Sequence, residues 1–199
     1  MAILDSGVDG SHEFLLGKVT AEACHSTTDR SGATTSQSLC PGGSASASFQ
    51  GAGMRFVQDS HSRSRRAVLR GLHYQDMTAP LGKLVRCTVG EIFDVAVDLR
   101  VGSPTFGHFV SVNLSAENKR QMYVPVGFAH GFQALTDAVE VQYRQTGYYV
   151  PAAEGSVAWN DPDIGIRWPI DTPVLSARDQ NATTLKEYAK KPAFRYGQI

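Results

Sequence analysis

Apolar and polar residues alternate with a period of two along much of this chain, and the pattern sets in only after residue 54. It is clearest over 92–99, where Phe93, Val95, Val97 and Leu99 fall on one face and Ile92, Asp94, Ala96 and Asp98 on the other. Comparable short runs lie at 55–58, 67–74, 83–89, 108–114, 121–124, 131–135, 139–144 and 156–159, separated by Gly, Pro, Asn and Asp. Roughly eight to ten short strands with frequent turns predict an all-β antiparallel sandwich or barrel, with a jelly roll as the leading architecture. Helix is scarce. Ser115 to Arg120 predicts one capped turn, and 183–191 predicts a C-terminal helix with Lys190 and Lys191 at its negative end.

Upstream the chain has a different texture. From 20 to 53, Ser, Thr, Ala and Gly dominate, and Leu39 and Phe49 are the only large apolar residues. Neither strand nor helix periodicity is present, and little surface is available to offset ordering entropy. The composition therefore divides the chain into an atypical N-terminal arm (1–53), a β domain (54–181) and a helical tail (182–199).

At 199 residues the chain is long enough for one domain with a substantial core, without help from disulfides or metals. Nineteen basic side chains balance nineteen acidic ones, which argues against a nucleic-acid partner but leaves room for a local anion pocket. No apolar run approaches the roughly 20 residues that span a bilayer, so no membrane partner is expected. The segment from Met1 to Gly7 lacks the basic start of a secretory signal. Cys24, Cys40 and Cys87 form an odd set without a paired motif, as expected of a reducing, cytoplasmic setting.

Imidazoles are the first candidates for proton chemistry near neutral pH. His73 lies in Arg70-Gly71-Leu72-His73-Tyr74-Gln75, where a plain strand register would send Arg70 and His73 to opposite faces. A β-bulge at Gly71 would bring both to one ligand; a buried structural histidine fits the spacing equally well. Phe128, His130 and Phe132 share a face suited to a sugar or base, or to ordinary core packing. His108, after Gly107, reads as a turn residue. Asp161, in Trp159-Asn160-Asp161-Pro162, is placed to orient an imidazole or to form an Asx-turn. Tyr143 shares a face with Val139 and Val141, as a general acid or a core phenol. For a metal, His73, Glu91 and His130 would have to converge through the fold, since no two ligands share a local spacing.

Residues 54–181 closely resemble the dTDP-4-dehydrorhamnose 3,5-epimerase family. The stretches that carry the likeness include Phe56-Val57-Gln58-Asp59-Ser60-His61-Ser62, Val68-Leu69-Arg70-Gly71-Leu72-His73-Tyr74-Gln75, Gly82-Lys83-Leu84-Val85-Arg86 and Asp94-Val95-Ala96-Val97-Asp98. Gly102-Ser103-Pro104-Thr105-Phe106-Gly107, Gly127-Phe128-Ala129-His130-Gly131-Phe132 and Trp159-Asn160-Asp161-Pro162 continue it. The resemblance implies a cupin jelly roll, a homodimer that exchanges N-terminal strands, and chemistry without a cofactor or metal. It also implies a dTDP-4-keto-6-deoxyhexose substrate, inverted at C3, C5 or both through an enolate. By similarity His73 is the base, Asp161 its orienting acid, Tyr143 the opposing acid and Lys83 the cation facing the oxyanion. Gln58, Arg70, His130 and Glu154 match positions that hold the sugar nucleotide.

The likeness has two gaps. Gln58-Asp59-Ser60 stands where the family usually has Gln-x-Asn, and Asp29-Arg30-Ser31-Gly32 replaces an Asp-x-Arg-Gly motif that is followed by aromatics. Together with the change of texture near residue 54, this suggests a frame error or local decay over residues 15–53. A nucleotide-sugar-binding cupin without turnover is the competing expectation, and a metal-dependent cupin oxygenase a remoter one.

Overall fold

The computed structural model describes residues 2–4 and 55–198. Most of the N-terminal arm, and with it the suggestion of a frame error, lies outside the described residues. Ten strands follow along the chain: β1 (Ala2–Leu4), β2 (Gln58–Ser64), β3 (Leu69–Gln75), β4 (Lys83–Val89), β5 (Glu91–Asp98), β6 (Phe109–Ser115), β7 (Gln121–Val124), β8 (Phe128–Ala134), β9 (Val139–Gln145) and β10 (Glu154–Ser156). Two short helices, α1 (Ala177–Gln180) and α2 (Leu185–Lys190), come last. The strands form two antiparallel sheets, in the orders β1-β7-β4-β9-β2 and β10-β3-β8-β5-β6, and thereby the expected jelly roll.

The second sheet is covered on both faces. Its inner side packs on the first sheet through Ile92, Ala96, Phe132 and Ala134 against Val85, Met122, Val139 and Val141. Its outer side carries Leu69, Leu72, Val95, Val97 and Leu99, covered by Ile164, Trp168, Leu185, Tyr188 and Phe194 of the C-terminal segment. The two faces read from the alternation over 92–99 are therefore two cores, and burial of such side chains is the main stabilising term. The C-terminal helix is shorter than 183–191 because Thr184, its N-cap, accepts from the N–H of Glu187 and starts it two residues later, at Leu185.

Strand boundaries depart from the pattern where packing does not set them. β2 runs over 58–64 rather than 55–58, and its sequence Gln-Asp-Ser-His-Ser-Arg-Ser has no apolar alternation. It is an edge strand, held by an unbroken seven-residue ladder with β9 from Gln58–Gln145 to Ser64–Val139.

The Gly102–Gly107 stretch is a structural knot around the buried Asp98. Asp98 accepts from Ser103 Oγ and Thr105 Oγ1, each at 2.7 Å, and from the Arg100 guanidinium at 2.7 and 2.9 Å. Those donors outweigh the effect of burial and hold its carboxyl below the usual range.

Candidate active site

Between the sheets, at the end occupied by β2, β9, β4, β3 and β8, lies a cavity of about 220 Å³. Gln58, Ser60, Arg70, His73, Lys83, His130, Phe132, Tyr143, Gln145 and Tyr149 line it. Six of the eight site residues expected from sequence are thus brought together; Asp161 and Glu154 are not among the lining residues.

The bulge at Gly71 is real, and it places His73. The β3–β8 register holds at Leu69–Gln133 and Arg70–Phe132, shifts, and resumes at His73–His130. Leu69 and Leu72 thereby enter the outer core while Arg70 and His73 both face the cavity. Gly71 sits at φ +138°, and a Cβ there would stand 2.5 Å from Gly131 Cα. Only glycine fits that backbone and that close approach.

His73 Nε2 lies 2.5 Å from Asp179 Oδ1. A carboxylate accepts only, so Nε2 carries the proton and Nδ1 the lone pair. Ser176 locks the acid in turn: its Oγ donates to Asp179 Oδ2 at 2.8 Å and accepts from the Asp179 N–H at 3.2 Å. Burial lowers the pKa of His73, as do the Arg178 and Lys83 charges, against an upward pull from Asp179. The imidazole is therefore neutral at pH 7, the form a base requires. For Asp179, burial works upward, but the bonds from His73 and Ser176 prevail and keep it ionised.

This corrects the role expected of Asp161. Its Oδ2 accepts from the Leu185 N–H at 2.7 Å and its Oδ1 from the Asp163 N–H at 2.9 Å. It is buried as an anchor for the start of α2, so its carboxylate is spent on backbone donors rather than on His73. Trp159 of the same stretch is also tied into the fold, its O accepting from Trp168 Nε1 at 2.8 Å. The signal that points to Asp179 is a Ser-x-x-Asp cap, Ser176-Ala177-Arg178-Asp179, at the start of α1.

Glu154 holds the margin of the cavity rather than its wall. Its Oε2 accepts from Tyr149 Oη at 2.8 Å and pairs with the Arg178 guanidinium, which also lies against the His73 ring, 2.9 Å from Nε2 and 3.2 Å from Nδ1. Gln58 Oε1 accepts from the Tyr149 N–H at 3.0 Å. Arg70 donates from Nε to Ser64 Oγ at 3.1 Å.

On the opposite wall, Tyr143 projects from β9, with its hydroxyl 3.1 Å from Ser62 Oγ. Burial raises its pKa strongly, so the phenol keeps its proton. Lys83, the register partner of Gln145, has its pKa lowered by burial against the pull of Glu154 and Asp94. A second imidazole–carboxylate pair lies deeper: His130 Nε2 to Asp94 Oδ1 at 2.7 Å, with the two residues 4% and 0% exposed. Burial raises the Asp94 pKa against the pull of His130 and Lys83. Glu91 stays apart from both pairs and accepts from Asn113 Nδ2 at 2.7 Å. Among the described residues, no three His, Cys, Asp or Glu side chains come together as a ligand set, and no helix is long and apolar enough to cross a membrane.

An imidazole on one sheet, a protonated phenol on the other and a lysine beside them are groups of the kind that can remove and return a proton on two faces of a carbon next to a carbonyl. Comparison with known proteins identifies the family. A family model described as dTDP-4-dehydrorhamnose 3,5-epimerase matches residues 43–187. A dTDP-4-dehydrorhamnose 3,5-epimerase of Salmonella typhimurium is 59% identical over 133 residues, 66% of this chain and 73% of that protein. A dTDP-6-deoxy-D-glucose-3,5-epimerase from Legionella pneumophila, solved in complex with dTDP-4-keto-L-rhamnose, is 49% identical with a TM-score of 0.70, covering 73% of this chain and 77% of that one. A 3'-monoepimerase from Streptomyces bikiniensis, solved with dTDP-quinovose, is 39% identical with a TM-score of 0.67, covering 70% and 71%. The fold is accordingly the cupin-type jelly roll of these isomerases. On sequence and fold alike, the chain belongs to the dTDP-4-dehydrorhamnose 3,5-epimerase family.

Proposed function

We propose that the protein epimerises a dTDP-4-keto-6-deoxyhexose at C3, C5 or both, with His73 as base and Tyr143 as acid. The observation that carries this reading is the His73–Asp179 pair facing Tyr143 across one cavity. The 4-keto group acidifies the hydrogens on C3 and C5. His73 Nδ1 takes one of them, and the electron pair moves onto the carbonyl oxygen to form an enolate. Asp179 fixes the imidazole tautomer and stabilises the imidazolium that results. The Lys83 ammonium supplies fixed positive charge where the oxyanion develops. Tyr143 then gives its proton to the opposite face of the carbon, which inverts it.

Gln58, Arg70 and His130 hold the sugar nucleotide in this reading, and Arg70 suits a phosphate by its bidentate guanidinium. Glu154 contributes indirectly, by fixing Arg178 and Tyr149. Family membership is also the ground for proposing a homodimer, which light scattering would detect as twice the 21.5 kDa chain mass. Cytoplasmic placement is part of the same proposal, and the buried free thiol of Cys87 supports it.

The test is incubation with dTDP-4-keto-6-deoxyglucose in deuterium oxide, followed by proton NMR. Loss of the C3–H and C5–H signals, or of one of them, is the expected result, and the pattern names the carbon inverted. Binding without exchange would overturn the reading in favour of a sugar-nucleotide-binding cupin.

A further inference from the structure

The cavity wall contains a polar atom with nothing to bond. Gln145 ends β9, two residues beyond Tyr143, and is only 6% exposed. Its Nε2 donates to Ser60 Oγ at 3.0 Å, while its Oε1 is closed off from solvent and has no hydrogen-bond partner. A buried amide oxygen left in that state is unfavourable, and such atoms in folded proteins call for an explanation.

The neighbours of Gln145 supply one. Gln58 faces it across the β2–β9 ladder and donates from Nε2 to the same Ser60 Oγ at 3.1 Å. Gln58 cannot turn round, because its Oε1 is taken by the Tyr149 N–H. With both lone pairs of Ser60 Oγ engaged by amide donors, its own O–H is left to donate. The terminal torsion of a glutamine is soft, so rotation about it, with exchange of the Nε2–Ser60 bond, can present Gln145 Oε1 to a molecule seated in the cavity. Ser60 is also the position where the family resemblance expects asparagine, and Gln145 sets a carboxamide beside that shorter side chain.

We infer that Gln145 Oε1 and the Ser60 hydroxyl form a paired acceptor and donor that bind the nucleotide sugar, with Gln145 accepting from an O–H or N–H of the ligand. The inference rests on the function proposed above. A sugar hydroxyl and the imide of a pyrimidine base both offer a donor beside an acceptor, which is the chemistry this pair matches.

Calorimetric Kd values for dTDP and dTDP-glucose, on full-length wild type, Gln145→Met, Ser60→Ala and the double variant, test it. Gln145→Met is expected to weaken binding by about 5- to 10-fold, the usual worth of one hydrogen bond. Ser60→Ala should add little to that loss, because the two side chains act as one unit. Equal losses for both ligands place the partner on the nucleotide, and a loss for dTDP-glucose alone places it on the sugar; either result supports the inference. Unchanged affinity for both ligands overturns it, and deuterium exchange by wild type in the same preparation then leaves the epimerase reading intact. Wild type that neither binds nor exchanges brings down both. Should Gln145→Met melt too early to titrate, Gln145→Thr, too short to reach, must show the same loss.

Discussion

The carboxylate that holds the His73 imidazole is Asp179, whose Oδ1 lies 2.5 Å from His73 Nε2 although the two are 106 positions apart in sequence. The pair joins a strand of the second sheet to the first of the two closing helices. Asp179→Asn would keep the shape but offer the imidazole an amide, loosening control of tautomer and charge. We expect exchange into substrate to fall by about 10²- to 10⁴-fold with little change in thermal midpoint. Asp161→Asn should do the reverse, lowering the midpoint through the start of α2 while largely sparing kcat in the folded fraction. If Asp161→Asn removed exchange from a stably folded protein, the reassignment would be wrong.

Proton removal and proton return are separable. His73→Ala is expected to abolish deuterium incorporation. Tyr143→Phe should slow epimerisation more than exchange, because deprotonation does not need the phenol. Proton NMR of recovered substrate and product gives both rates in one experiment. Equal loss of the two rates would remove Tyr143 from the acid role.

Activity should have an acid limb set by His73. Its pKa lies below the ordinary 6.5, chiefly through burial, so kcat/KM should rise with a midpoint below pH 6.5 and stay level through neutrality. The phenol of Tyr143, pushed upward by burial, imposes no loss in that range. Lys83, lowered from 10.5 mainly by burial, should set an alkaline limb earlier than an exposed lysine would. For stability the sign follows from the same shift. An imidazole with a depressed folded pKa contributes stability that is present above about pH 6.5 and is lost as the pH falls toward the folded value. Asp179→Asn removes the one upward pull on His73, so its acid limb should move to still lower pH.

Much of this architecture could be read before any coordinates, and the failures have physical causes. The alternation over 92–99 revealed the strand and its two faces, but Asp94 and Asp98 on the second face hid the fact that β5 is buried on both sides. The bulge between Arg70 and His73 was visible because two polar groups serving one cavity conflict with a period of two at a glycine. β2 escaped notice because an edge strand is held by backbone ladders, which leave no hydrophobic trace. Asp161 was expected and Asp179 passed over because an acid in a turn carries no local mark of its partner, and only tertiary packing decides which one meets the imidazole. Gln145 carried no sequence signal, since an unpaired oxygen exists only once its surroundings are closed.

The glycine at the bulge should tolerate no side chain. Gly71→Ala adds a Cβ 2.5 Å from Gly131 Cα in a backbone conformation that L-residues avoid. We expect a loss of about 2–4 kcal/mol, measured from urea midpoints at constant m-value. Whatever folds should exchange deuterium slowly, because a displaced bulge moves His73. Wild-type exchange in this variant would separate the bulge from catalysis.

The distance in sequence between His73 and Asp179 sets an order in time. On the ribosome the imidazole emerges long before the acid that holds it, and before Trp168, Leu185 and Phe194, which cover the outer face of its sheet. A chain clipped ahead of Ser176 retains the residues of the described strands, yet lacks the carboxylate bonded to His73 and the Leu185, Tyr188 and Phe194 cover of the second sheet. Synthesis thus delivers the partner of His73 last, together with the side chains that close the outer core of its sheet.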